Sequence, residues 1–385
     1  MTAAAAKTPR KTSTGTYGRA AGSPRRPGAR CDYLIVGAGL FGAVCARELA
    51  DRGKRVLVLE KLGWVGGACH TARRDGMLCQ THGAHVFHTD DRRVWEYVNR
   101  FADWRHYRHH VKTTARGRVY SLPINLMTLQ QVFGTHAIRL PPSERSGDTV
   151  RDWCLAEIGE ELYRLLIEGY TRKQWGRDPA ELPASIIRRL PVRRTWNDEY
   201  FDDAYQGLPA DGYTALIENL LEGVPLALGE DYLERPEHWD GRASRVIYTG
   251  PVDALFGNRF GRLEYRSLRF EWERLEVPDY QGCPTMNYAD ADVPYTRVHE
   301  HKHFYPTPVP HTLITREYPS AHDDGSEPYY PVNDARNRGL YARYRRLVSR
   351  ERQTLVLGGR IGGYRYLDMD ETIAAALRLV AAELR

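Results

Sequence analysis

No C-x-x-C pair and no metal-finger spacing occurs among the six cysteines at positions 31, 45, 69, 79, 154 and 283. Zinc-finger and dithiol readings are therefore excluded, and free thiols in a reducing compartment are expected. No stretch approaches the ~18 apolar residues of a spanning helix, and the N-terminus lacks the apolar core of a secretory signal. The cytoplasm is the expected location, and no membrane partner is expected. The first thirty residues also contain no Leu, Ile, Val, Phe or acid. They cannot form the amphipathic face of a transit peptide, so residues 1–30 read as a disordered basic tail or as the product of an over-early start codon. Their seven cations, Lys7, Arg10, Lys11, Arg19, Arg25, Arg26 and Arg30, subtracted from the formal charge of +6 leave about −1 for the remainder. The rest of the chain thus has no general positive excess, and no nucleic-acid partner is expected. Internal repeats, a Ser-His-Asp triad and a metal cluster are likewise not evident.

What the sequence does have is length for two or three structural units and a clear order of elements. A short apolar strand, Tyr33 to Val36, runs straight into Gly37-Ala-Gly39-Leu-Phe-Gly42. A helix is expected from Ala43 to Arg52, then a strand from Val56 to Leu59. Both strands are continuous apolar runs, as a parallel sheet buried on two faces requires. From about Val94 to Arg189 the pattern reads as helical, with apolar residues at Val150, Trp153, Cys154 and Ile158 and at Leu162 and Leu166. From Arg193 to Pro331 short β-rich runs dominate, such as Arg245 to Tyr248 and His311 to Thr315. A strand at Thr354 to Leu357 and a helix with Ile373, Leu377, Val380 and Leu384 in one stripe close the chain.

Three separated segments point to one dinucleotide. The fingerprint glycines serve a tight turn, close approach to a pyrophosphate and close helix packing, and the helix N-terminus favours the negative charge. Glu60, eighteen residues after Gly42, ends the next strand, where a carboxylate accepts bonds from ribose hydroxyls. Val65-Gly66-Gly67 then supplies a second glycine pair, and Gly358-Gly359-Arg360 precedes a helix beginning near Asp368. FAD is the expected cofactor, held by Gly37, Gly39, Leu40, Phe41, Gly42, Glu60, Lys61, Gly66, Gly67, Arg360 and Met369. The expected fold class is α/β, a Rossmann-type FAD-binding domain with a helical insertion domain and a mixed or antiparallel β-sheet domain. The expected boundaries are 31–97 with 210–262 and 333–385 for the first, 98–190 for the helical domain with a mobile substrate loop after it, and 191–209 with 263–332 for the β-sheet substrate domain.

From Asp32 to the final helix the chain resembles the bacterial UDP-galactopyranose mutases. The matching strings are GLFGAVCA, GAHVFHT, GYTRKQWGR, LPVR, YQGLP, YTGPVDALF, LEYRSLRFE, VPYTRVHEHKHF, EPYYPVN and GGR followed by YRYLDM. The resemblance implies that Arg193 and Arg297 clamp a diphosphate, a task suited to the bidentate guanidinium. It implies diphosphate contacts from Tyr205, Tyr330 and Tyr366 with Asp368 nearby, and places Tyr170 and Trp175 along the uridine and sugar part of the cleft. His85 and His88 would lie beside the flavin, a purely structural role for one of them staying open, and His85, Tyr366 and Asp368 would also border the cofactor.

The implied reaction converts UDP-galactopyranose to UDP-galactofuranose without net redox change. N5 of reduced FAD attacks the anomeric carbon, UDP leaves, and the opened sugar recloses through O4. The expected partners are the nucleotide sugar, an external reductant for the flavin and, as one assembly, a second copy in a homodimer. The same chemistry on a GDP- or TDP-linked hexose stays open, as does an amine-oxidase-like flavin oxidase. Ala68, His82, Arg194 and Trp196 depart from the family's usual residues in loops facing flavin and substrate, and bear on sugar and base identity.

Overall fold

The computed structural model describes residues 30–134, 140, 147–188, 190–323 and 325–385. The N-terminal tail lies, but for Arg30, outside the described residues. Five parallel strands form the first sheet, in the order Leu226–Leu228, Val56–Glu60, Cys31–Val36, Ala243–Tyr248 and Leu355–Leu357. Alternate side chains of the central strand serve two cores. Tyr33 and Ile35 pack with helices Leu40–Asp51, Gly212–Leu220 and Met369–Glu383. Leu34 packs on the opposite side, with Tyr232, Trp239 and helix Ala335–Glu351. Burial on both faces is why these strands carry no alternating pattern. The first helix starts at Leu40, three residues earlier than its apolar spacing indicated.

A seven-stranded sheet is ordered Tyr330–Pro331, Tyr265–Leu275, Thr312–Ala321, Arg297–Glu300, Thr285–Tyr288, Val111–Ala115 and Arg118–Leu122. It is antiparallel except between Thr285–Tyr288 and Val111–Ala115, so it is mixed. A third, small sheet joins Phe87–Thr89, Tyr205–Pro209 and Trp104–His106.

The helical reading from Val94 to Arg189 does not hold throughout. Residues 104–122 contribute three strands, and continuous helical packing begins at Leu126–Phe133. Val111, Thr113 and Ala115 are buried while Lys112 and Thr114 are half-buried, a period of two. Beyond Thr149 the helical spacing meets its packing, since Val150, Trp153, Cys154, Ile158, Leu162 and Leu166 share one core. All six cysteines are buried and free.

Candidate active site

The strand Cys31–Val36 delivers its chain into a turn that the structure leaves no room to vary. A Cβ on Gly42 would lie 2.0 Å from the Gly37 carbonyl oxygen. Gly39 is different: a Cβ there would meet no atom of the described residues within 4 Å. Its open side lies on a groove, and the helix it begins has no side-chain cap, so the first backbone N–H groups stay available to an anion. Gly66 bridges to Gly39 and donates its N–H to Ala38 O at 3.0 Å, bringing the second glycine pair onto the first. Glu60 is buried, and its carboxylate accepts N–H bonds from Ala38 at 2.8 Å and Leu62 at 3.0 Å. These two bonds orient a carboxylate that retains lone pairs for ribose hydroxyls. The groove has a volume of about 500 Å³, and Gly37, Gly39, Leu40, Phe41, Gly42, Glu60, Lys61, Gly66, Gly67, Arg360 and Met369 all line it.

At its inner end the groove shares His82, Tyr329, Arg360 and Met369 with a second cavity of about 120 Å³. His85, His88, Arg297, Tyr330, Tyr366 and Asp368 line this cavity. Strand register builds its cationic wall. Arg297 stands opposite Glu317 on the neighbouring strand, 3.6 Å away, and His299 Nε2 lies 3.3 Å from the other carboxylate oxygen. Burial works against the Glu317 carboxylate, but the Arg297 charge and the His299 hydrogen bond outweigh it and keep its pKa below the usual range. His85 is neutral: burial, reinforced by the Arg360 charge, lowers its pKa to about 4. Its Nδ1 sits 3.0 Å from Gly83 O, a carbonyl that can only accept, so Nε2 carries the lone pair. His88 behaves oppositely. Burial disfavours its cation, yet the Asp203 carboxylate at 3.0 Å raises its pKa.

Residues 193–205 form a strap alongside the cavity. Its Tyr200 and Phe201 line the cavity, and the Phe201 ring stacks on His88 with centroids 3.7 Å apart. Asp198 pairs with Lys112 at 3.0 Å and His110 at 3.1 Å, and Tyr200 donates its N–H to His109 O at 2.7 Å.

Four residues expected in the site are not among those lining this cavity. Arg193 is buried in the strap, bonded to the Glu199 carbonyl and paired with Asp202 at 2.5 Å, so its charge is already satisfied away from the cavity. Tyr205 stacks on Trp95 at 5.6 Å, its strand turning the ring to the aromatic cluster beneath the strap. Tyr170 lies behind the lining, its ring under the Arg297 guanidinium at 5.7 Å and its buried hydroxyl without a partner among the described residues. Trp175 packs behind Tyr330 at 6.3 Å. Conversely, His109, Asn287, His299 and Glu317 line the cavity without having been singled out. One signal was present: Arg297 and His299 stand two apart in the run Arg297–Glu300, which as a strand puts both side chains on one face.

Residues 35–101 match an NAD(P)-binding Rossmann-like domain, which together with the groove defines a dinucleotide-binding α/β enzyme. Over residues 165–366 the chain matches the family described as UDP-galactopyranose mutase. A Klebsiella pneumoniae protein described as probable UDP-galactopyranose mutase is 41% identical over 365 residues, covering 90% of this chain and 93% of that one. An Escherichia coli dTDP-fucopyranose mutase is 37% identical, covering 89% and 96%. Among solved structures, a reduced UDP-galactopyranose mutase superposes with a TM-score of 0.71 at 14% identity, covering 92% and 94%. A putrescine oxidase variant shares the fold at a TM-score of 0.57 and 15% identity, covering 93% and 100%. The chain belongs to the UDP-galactopyranose mutase family of isomerases.

Proposed function

We propose that the chain interconverts the pyranose and furanose forms of a nucleotide-linked hexose, with FAD in the groove and UDP-galactose as the substrate. The observation that carries this is the common wall: His82, Tyr329, Arg360 and Met369 belong both to the glycine-built groove and to the cavity holding Arg297. Such a wall puts the end of a bound dinucleotide against whatever Arg297 grips. Groove and fingerprint suit FAD, since Gly39 leaves open the space a pyrophosphate needs. When bound in its reduced state, FAD supplies a nucleophilic nitrogen for the anomeric carbon.

The protein's own part is binding and charge. Arg297, braced by Glu317, presents guanidinium N–H groups to the diphosphate and holds its charge as the glycosyl bond breaks. Tyr330 and Tyr366, stacked with ring centroids 6.0 Å apart, both line the cavity and add two hydroxyls to it. Arg193 joins only after exchanging Asp202 for a phosphate oxygen, which requires the strap to move. Neutral His85 accepts through Nε2, and Tyr200 and Phe201 keep water from the reacting centre. An external reductant and a cytoplasmic setting complete the reading; among the described residues no helix is long and apolar enough to cross a membrane.

The Escherichia coli relative favours a second substrate, a dTDP-linked 6-deoxyhexose. One experiment separates them. Purified protein, oxidised or reduced with dithionite, is incubated with UDP-galactofuranose and with dTDP-fucofuranose, and the products are separated by chromatography. Conversion of the UDP sugar by the reduced form alone is expected. Equal turnover by both forms, or none on either sugar, overturns the proposal.

A further inference from the structure

The loop between strand Met77–Gln80 and the cavity contains a hydrogen-bond arrangement whose protons can be assigned. Thr81 Oγ1 lies 2.9 Å from His70 Nδ1, 2.7 Å from His82 Nδ1 and 3.0 Å from the His70 carbonyl oxygen. A hydroxyl has one proton and two lone pairs, and a carbonyl oxygen only accepts. If the proton went to either imidazole, the hydroxyl would face the carbonyl lone pair to lone pair. The arrangement that satisfies all three contacts has Thr81 donating to the carbonyl and both imidazoles donating through Nδ1–H. Burial lowers the pKa of both rings, His70 to about 4, so neither takes up a second proton near neutrality. His82 Nε2 is therefore a bare acceptor. Among the described residues no hydrogen bond is made to it, and the ring lines both the groove and the sugar cavity. The Phe270 and Tyr329 rings pack against the imidazole, with centroids 6.3 Å and 6.4 Å away.

We propose that His82 Nε2 accepts a hydrogen bond from the N5–H that the bound flavin carries only when reduced, and so stabilises the reduced state. This rests on the reading of the groove as an FAD site. An oxidised ring presents a lone pair at N5, and two lone pairs face to face repel; reduction replaces that repulsion with a hydrogen bond. Thr81 acts through His82 as a positioning residue, because it fixes the tautomer that leaves Nε2 bare. A tyrosine there would bring a hydroxyl that can also donate; His82 held by Thr81 cannot.

The test uses FAD-loaded full-length protein. His82→Phe removes the acceptor, and the reduced-to-oxidised ratio at a fixed potential should fall about tenfold, equivalent to about 30 mV for a two-electron couple. Thr81→Val leaves the imidazole in place and frees its tautomer, so the midpoint should fall in the same direction by less. Nitrogen-15 spectra of histidine-labelled protein, with His82→Phe identifying the resonance, should show Nδ1 protonated and Nε2 bare in the parent and a mixture in Thr81→Val. Should His82→Phe not fold, Thr81→Val carries both measurements. Parental midpoints in FAD-loaded variants, or a proton on Nε2 in the parent, overturn the inference alone. A parent that takes up no FAD overturns the reading of the groove and this inference with it.

Discussion

The groove and the second cavity are built on opposite plans. Where it meets the first helix, the groove is largely backbone: glycines and a helix terminus, with the Glu60 carboxylate beside them. The cavity is made of side chains contributed by strands of different sheets and by a strap, held by ion pairs such as Arg297 with Glu317. Backbone-built sites depend on the absence of side chains, so they break when atoms are added. Side-chain sites break when atoms are removed.

The largest expected effect tests the second half of that contrast. Arg297→Ala should lower turnover by roughly 10²-fold or more, the scale of losing one preorganised charge-stabilising donor. Flavin content measured by absorbance should be unchanged, because Arg297 lines only the cavity. A variant with near-parental rates on a verified substrate would show that the cavity does not use this charge.

Adding atoms should do the reverse. Gly39→Val has open space for its side chain in the protein, so the melting temperature of the apoprotein should stay within about 2 °C of the parent, an effect under about 0.5 kcal/mol. Its FAD affinity, measured by fluorescence titration, should fall at least about tenfold, because the new atoms lie where the backbone must approach a pyrophosphate. Equal affinity would mean that the groove binds without that approach.

A smaller effect concerns the strap. The folded pKa of His88 lies above its unfolded value, so the stabilisation from its pair with Asp203 is complete below about pH 6.5 and fades as pH rises through the folded pKa. Asp203 is held low by the same bond, so its share is lost only in acid, as pH falls through its own folded value. Intrinsic-rate-corrected amide exchange across residues 200–203 should be slower at about pH 5.5 than at about pH 8.5. Exchange independent of pH would sever the strap from His88.

The smallest effect is expected where a side-chain pair spans the groove. Lys61 and Glu327 meet at 2.6 Å, with side chains 47% and 50% exposed. Solvent screening limits such a pair to about 0–1 kcal/mol, so Lys61→Ala should change FAD affinity by no more than a few-fold. A larger loss would place Lys61 on the cofactor itself.

The two plans also explain what could be read in advance. The glycine turn, Glu60 and the second glycine pair lie between positions 37 and 67, and each has a local geometric reason, so this part of the groove was legible; its walls at Glu230 to Leu233 and Ser326 to Tyr329 come from distant segments and were not. The cavity depends on register. Nothing local shows that Arg297 faces Glu317, or that His109 sits between two strands, because strand pairing is set by partner segments that no short window contains. Tyr205 shows the converse: its motif was recognisable, yet the turn of its strand sends the ring to Trp95. Arg193 was legible as a residue but not in its observed place, because its partner Asp202 is supplied by the strap's own bend.

Four side chains serve as the boundary between the two compartments, and a common boundary imposes a thermodynamic obligation. If a nucleotide sugar binds more tightly beside the reduced cofactor than beside the oxidised one, the same free energy must appear as a rise in the flavin's midpoint potential when the sugar is bound, since linkage is reciprocal. Through His82, Tyr329, Arg360 and Met369, substrate supply would then help to hold the enzyme in its working oxidation state.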